Sequence, residues 1–290
     1  MPISETQLRA WRFPDVSVRY EPRDCILYAL GLGLGQDPLS GDQLRYVYED
    51  GLMVLPSMAT VLAGPGFWIG EPALGIDHAK AVHGGQSLVV HAQLPPCGEA
   101  TGRTRIVDVI DLGQARGAMI EVQTDLYLET GAIHQSSLRS TLFCRGDGGF
   151  SGAPTAKPET RGKVLPSRVP DLSVSYAVPG QAALIFRLSG DYNPLHASPP
   201  VAARAGFDRP ILHGLSTYGI AAYLLVTQLA QGRPERLKEL SCRFTGPVFP
   251  GENLRLDVWL DEDCARFSCF VPERDSQVLG RGKARIAPAE

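Results

Sequence analysis

The sequence predicts an α+β fold built as two tandem copies, each a central helix wrapped by a curved antiparallel sheet. Three observations carry this: an internal repeat, a Gly/Pro-rich join between the copies, and a helix-then-strands order within each.

The repeat shows as PDVSVRYEPRDCILYALGLGLGQDPL, from Pro14, laid without a gap over PDLSVSYAVPGQAALIFRLSGDYNPL, from Pro170. Pro14, Asp15, Ser17, Val18, Tyr20, Leu32, Pro38 and Leu39 match Pro170, Asp171, Ser173, Val174, Tyr176, Leu188, Pro194 and Leu195. One residue of slippage later, VLPSMAT from Val54 lies over ILHGLST from Ile211, and CGE at Cys97 parallels PGE at Pro250. The join is residues 146–169, GDGGFSGAPTAKPETRGKVLPSRV, whose Gly and Pro content and lack of apolar period mark a linker. Residues 1–145 and 170–290 are then the two domains.

Within each copy a short helical stretch, 22–31 and 179–187, leads into a Gly/Pro turn. In HGLSTYGIAAYLLVTQLA, Leu215, Tyr218, Ala222, Leu225, Val226 and Leu229 recur at three- and four-residue spacings, which predicts a helix with a broad apolar face. Strands follow: SCRFTGPV, NLRLDVWLD, ARFSCFVPE and VLGRGKARIA, with alternation at Leu254, Leu256, Val258 and Leu260. SLVVHAQL, TGRTRIVDVI, GAMIEVQTDLYL and SSLRSTLFC play that part in the first copy. A curved antiparallel sheet covers an apolar helix on one face, and two such sheets set edge to edge hide their open edges.

Composition excludes several classes of partner. The 290 residues are 44% hydrophobic with a net charge of −3, so no basic field draws nucleic acid or an anionic membrane. No apolar run approaches the roughly 20 residues that span a bilayer. The N-terminus lacks a secretory pattern, which points to a cytoplasmic protein. Six scattered cysteines form no CxxC and are expected to be free thiols. The six histidines make no HxxxH or HxH pair, so no metal is expected.

Residues 186–214, FRLSGDYNPLHASPPVAARAGFDRPILHG, carry the chemistry. Asp191, Asn193 and His196 fall within six positions, and Pro194 between them favours a turn. On a turn, side chains five apart can converge, and a carboxylate and an imidazole aimed at one water supply general base and general acid. Asn193, both donor and acceptor, suits holding that water or orienting the imidazole. An Asp–Asn–Pro run is also ordinary turn chemistry. The repeat tips the balance: Asp191, Asn193 and His196 fall on Gly35, Asp37 and Ser40, so the titratable pair exists in one copy while the Pro-Leu turn exists in both. Gly214 opens the apolar helix, where free N–H groups and the helix dipole favour an oxyanion, although a small residue for close packing also explains it.

At these residues the chain resembles the type 2 (R-specific) enoyl-CoA hydratases, the MaoC-like branch of the hot-dog superfamily. Their signature, aromatic through Gly-Asp-x-Asn-Pro-aliphatic-His to a small residue, is matched without a gap from Phe186 to Ala202. The likeness runs over nearly the whole chain and is nearest the hydratase part of peroxisomal multifunctional enzyme type 2. YEPRDCILYALGLG, YVYEDGLMVLPS, HGGQ, GGFSG, GFDRPILHGLSTYG and RFTGPVFPGE all echo it. It implies a double hot dog with one active site, in which Asp191, Asn193 and His196 are catalytic and the Gly214 N–H holds the thioester oxygen. It also implies substrate contacts at His83, Gly84, Tyr192, Pro194, Leu195 and Phe244, and a first copy reshaped for long or bulky acyl chains. The family's DxxDKG segment reads DVIDLG here, with Leu112 at the position of the CoA-binding lysine. Arg116 is the candidate replacement.

The expected reaction is reversible hydration of a trans-2-enoyl-CoA to a (3R)-3-hydroxyacyl-CoA, with no cofactor beyond the CoA of the substrate. Two alternatives stay open: dehydration of 3-hydroxyacyl groups on acyl carrier protein, and a non-catalytic acyl-CoA-binding subunit. The partners are then an acyl-CoA thioester and, as two-fold dimers are the commonest assembly, a second copy of the chain. Chain-length preference and pathway are not fixed by sequence.

Overall fold

Val16, Val18 and Tyr20 alternate with polar residues, and so do Leu172, Val174 and Tyr176; in the computed structural model both stretches are strands. The structure describes residues 3–152 and 166–288, so most of the predicted linker, 153–165, lies outside the described residues. The first half contributes β1 (Val16–Tyr20), β2 (Ala81–Val90), β3 (Gly98–Asp111), β4 (Ala118–Leu128) and β5 (Ile133–Cys144). The second contributes β6 (Leu172–Ala177), β7 (Leu237–Phe244), β8 (Asn253–Leu260), β9 (Ala265–Val271) and β10 (Ser276–Ile286).

These strands form one antiparallel sheet in the order β1-β3-β4-β5-β2-β7-β10-β9-β8-β6. The halves meet at a β2–β7 ladder that pairs Gly85 with Arg243, Ser87 with Ser241 and Leu88 with Leu240. The repeat is thus visible in three dimensions, since β1 and β6 are the two outer edges. Sequence reading did not identify these two edge strands, although their period-2 pattern was present.

The helices are α1 (Glu5–Ala10), α2 (Pro22–Leu32), α3 (Gly41–Leu44), α4 (Ala182–Phe186), α5 (Pro199–Arg204) and α6 (Gly214–Leu229). Every residue of α6 from Ser216 to Val226 is buried. A helix apolar all round must be enclosed, and α6 packs against β7 and β10 within the main core. Its counterpart in the first half is a six-residue 3-10 helix, Pro56–Val61. The two central helices therefore differ greatly in length. Physically, Gly64-Pro65-Gly66 follows at once and Ala63 already has a left-handed φ of 48°, so the turn does not propagate.

Three contacts lock the halves together near the site. An added Cβ on Gly31 of α2 would lie 2.7 Å from the Phe186 Cα of α4, so glycine permits their backbones to cross. Ser216 of α6 donates to the Gly31 carbonyl (3.3 Å), and the Tyr176 hydroxyl donates to that of Leu32 (3.0 Å).

At the far end of the first half, the buried Asp111 carboxylate accepts N–H bonds from Gly113, Gly149 and Ser151 and the Ser151 hydroxyl, all within 2.8 Å. Burial alone would raise its pKa; these donors outweigh it and hold the group well below the usual carboxylate range. The start of the linker is thereby pinned to the β3–β4 turn. Among the described residues, no helix is long and apolar enough to cross a membrane.

Candidate active site

Gly190, with φ at 114°, ends the α4 segment and throws the chain into an open turn. Two side-chain caps then shape that turn. The Asp191 carboxylate accepts the Asn193 N–H (3.1 Å), and Asn193 Oδ1 accepts the Leu195 N–H (3.0 Å). The second bond caps the 3-10 turn Pro194–His196. Asn193 therefore supports the turn, while the imidazole takes its orientation from elsewhere: His196 Nδ1 donates to the Ile211 carbonyl (2.8 Å). Because a carbonyl only accepts, the neutral ring carries its proton on Nδ1 and leaves Nε2 as a lone pair.

A carboxylate oxygen of Asp191, a ring nitrogen of His196 and a ring nitrogen of His213 all lie within 4.8 Å of one another. Asp191 is exposed to solvent, whereas His196 is 8% exposed and His213 only 1%. Burial pushes the His196 pKa down, against the pull of the Ile211 carbonyl and of Asp191. A pocket of about 240 Å³ opens beside His196, walled by Ala183, Leu184, Arg209, Pro210 and Pro250. It reaches the imidazole from the α4 side, and neither Asp191 nor Gly214 lines it.

The predicted substrate contacts fall into three groups. Gly214 is the first residue of α6, and an added Cβ there would meet the Phe244 ring at 3.2 Å. Phe244 in turn stands edge-on to His83, with ring centroids 4.9 Å apart. His83 binds the Gly85 carbonyl (3.0 Å) across a bulge in β2; burial lowers its pKa, opposed by Gly85, Gln86 and the charge of Asp191. Gly84 has no room for a side chain, since a Cβ would strike the Phe143 ring at 2.1 Å. His83, Phe244, Gly214, Asp191 and His196 thus form one continuous neighbourhood. Tyr192 and Pro194 are exposed and Leu195 half-buried on the same turn, with the Arg187 guanidinium 4.9 Å over the Tyr192 ring. Arg116 is exposed on the β3–β4 turn, its Nε bonded to the Leu112 carbonyl (3.0 Å), and no contact among the described residues brings it to this cluster. Leu112, at the position of the family lysine, is buried.

Sequence reading missed two members of this neighbourhood, His213 and Arg187. A usable signal existed for His213: under the VLPSMAT/ILHGLST match it falls on Pro56, so it too belongs to the second copy alone.

Residues 18–146 match the family model described as MFE-2 hydratase 2 N-terminal domain, and residues 163–272 match MaoC like domain. The chain is 36% identical to "Enoyl-CoA hydratase ChsH3" of Mycobacterium tuberculosis, covering 100% of both chains. The chain belongs to the MaoC-like hydratase 2 family. Among solved structures, this family member superposes on a MaoC-like dehydratase of Phytophthora capsici with a TM-score of 0.84 at 28% identity, covering 99% of this chain and 100% of that one. A Mycobacterium tuberculosis protein described as having a double hotdog fold gives a TM-score of 0.53 at 13% identity, over 95% and 96% of the two chains. That likeness speaks to the fold alone. The MaoC-like hydratase 2 family member is a double hot dog.

Proposed function

We propose that this chain is an (R)-specific enoyl-CoA hydratase whose water is activated between Asp191 and His196. The observation that carries the mechanism is the approach of a carboxylate oxygen and an imidazole nitrogen to within 4.8 Å, beside the open N-terminus of α6. That gap fits one water bridging the two groups. In the forward direction the pair removes a proton from water as its oxygen bonds to C3 of the enoyl chain. The C2–C3 π electrons move into the thioester, whose oxygen takes up charge opposite the Gly214 N–H. The proton then passes to C2, so one water is added and the protein returns to its starting state.

Each residue has a defined part. Asp191 and His196 move protons, Gly214 stabilises the enolate oxygen, and Asn193 keeps the turn closed. His83 and Phe244 wall the acyl-thioester side, while Arg116, free of ion pairs among the described residues, is proposed to meet CoA phosphate. The mechanism uses no metal. Asp191, His196 and His213 offer three donors, but the two rings stack 3.7 Å apart with planes 27° from parallel. One nitrogen of each ring is also already engaged, His196 Nδ1 with the Ile211 carbonyl and His213 Nε2 with the Asp191 carbonyl.

The test is loss of the enoyl-thioester absorbance of crotonyl-CoA, with chiral analysis of the product. Asp191→Asn and His196→Ala should each lower kcat by about 10²–10⁴-fold with an unchanged circular dichroism spectrum. Asp37→Ala and Ser40→Ala, at the matching positions of the first copy, should leave kcat within about twofold. Folded Asp191 or His196 variants with wild-type turnover would defeat the proposal.

A further inference from the structure

His213 stands directly behind the proposed pair and has no part in the chemistry just described. It is 1% exposed, and its ring lies 3.7 Å from that of His196 in a stack. Its Nε2 donates to the backbone carbonyl of Asp191 (3.2 Å), and its Nδ1 is buried without a hydrogen-bond partner. Phe186 closes the other side, with centroids 5.0 Å apart. A buried nitrogen left without a partner is costly, so a residue serving only to pack here would be better replaced by an apolar one. In the first copy it is replaced, by Pro56, while the preceding leucines Leu55 and Leu212 are buried in both. His213 therefore disappears together with the acid–base pair.

We infer that His213 is a positioning residue for the hydration site, clamping the Asp191 backbone with its N–H and shielding the His196 ring with its face. The two functions belong to different parts of one side chain. The N–H fixes the carboxylate-bearing end of the turn, whose side chain must stay within a water's reach of His196. The ring face keeps His196 out of bulk water. The clamp requires His213 to stay in the neutral Nε2–H form, and its surroundings favour that. Burial first, then the neighbouring charge of His196 and that of Arg187, disfavour a proton on it, against Asp191 and its carbonyl. When His196 takes up a proton, His213 is therefore held neutral and keeps its tautomer.

This inference rests on the hydratase reading, and two variants divide the two functions. His213→Phe retains a ring against His196 and removes the N–H. The expected result is a kcat about 10²-fold lower, KM within about twofold, and the acid limb of the kcat/KM profile in place. His213→Gln retains a donor and removes the ring, so kcat should stay within about tenfold. Its acid limb should move to higher pH by at least about half a unit, as His196 is relieved of the burial that lowers it. Both variants folded and near wild type, or equal losses with neither limb moved, would overturn the assignment. Should the variants fail to fold, the ¹⁵N shifts of the wild-type histidines decide without substrate. A neutral Nε2–H His213 at pH 6 is expected, and a protonated or Nδ1–H ring at that pH overturns it. A wild-type enzyme inactive on every enoyl-CoA would instead sink the hydratase reading and leave the tautomer result standing.

Discussion

Leu112 is buried and Arg116 exposed on the same short turn, which is the basis for proposing Arg116 as the cation that meets CoA. Arg116 Nε already holds the Leu112 carbonyl, so this exposed guanidinium is anchored at its base. Arg116→Ala should weaken CoA binding about tenfold at low salt, with a smaller change at high salt, measured by calorimetric titration. Equal affinities at both salt concentrations would remove the contact. The convergence of Asp191 and His196 on one turn was far more legible than this rim. Asp191 and His196 stand five apart across a proline and have no counterparts at Gly35 and Ser40, so spacing and asymmetry both pointed to them. The part played by Asn193 was less legible, since its Oδ1 binds Leu195 while His196 is oriented by Ile211, fifteen residues ahead. Only the folded chain brings that carbonyl to the ring. His213 was hidden for a related reason: at the cap of an apolar helix it reads as a boundary.

At the scale of elements, the crossing of α2 and α4 sets the floor beneath the site. Phe186 touches Gly31 on one side and His213 on the other. Gly31→Ala places a methyl carbon against the Phe186 backbone, which cannot rotate aside as a flexible side chain can. The expected cost is about 1–3 kcal/mol in urea melts, with a fall in kcat as Phe186 shifts His213. A variant as stable and active as wild type would show that the two helices separate freely. Strands in the sheet interior were readable from alternation, whereas β1 and β6 served only as marks of the repeat. Their five- and six-residue length gave the pattern little room. The shortened helix Pro56–Val61 was legible in principle from Gly64-Pro65-Gly66, but the seven-residue match to Ile211–Thr217 suggested a longer helix than forms.

Across the whole molecule, His196 and His213 are buried and His83 is half-buried near the join of the two halves, and desolvation pushes all three pKa values below the ordinary histidine value. The unfolded chain binds protons at these sites more readily than the native one. Stability is then full above about pH 6.5 and declines as pH falls below it, by about 1.4 kcal/mol for each unit of depression at each site. Urea melts at pH 7.5 and 5.5 should show the lower midpoint at 5.5, and His213→Phe should make that decline shallower. A midpoint indifferent to pH over this range would contradict the burial of these rings. The β2–β7 ladder has a wider consequence. In an assembly of two identical single-repeat chains, every substitution is written twice, so a gain for one pocket is imposed on its mirror. Covalent succession frees the copies from each other: one can carry Gly35, Ser40 and a six-residue helical turn where the other carries Asp191, His196 and a sixteen-residue helix. Asymmetry written through a single reading frame is what lets each half of such a molecule be altered without its mirror image following.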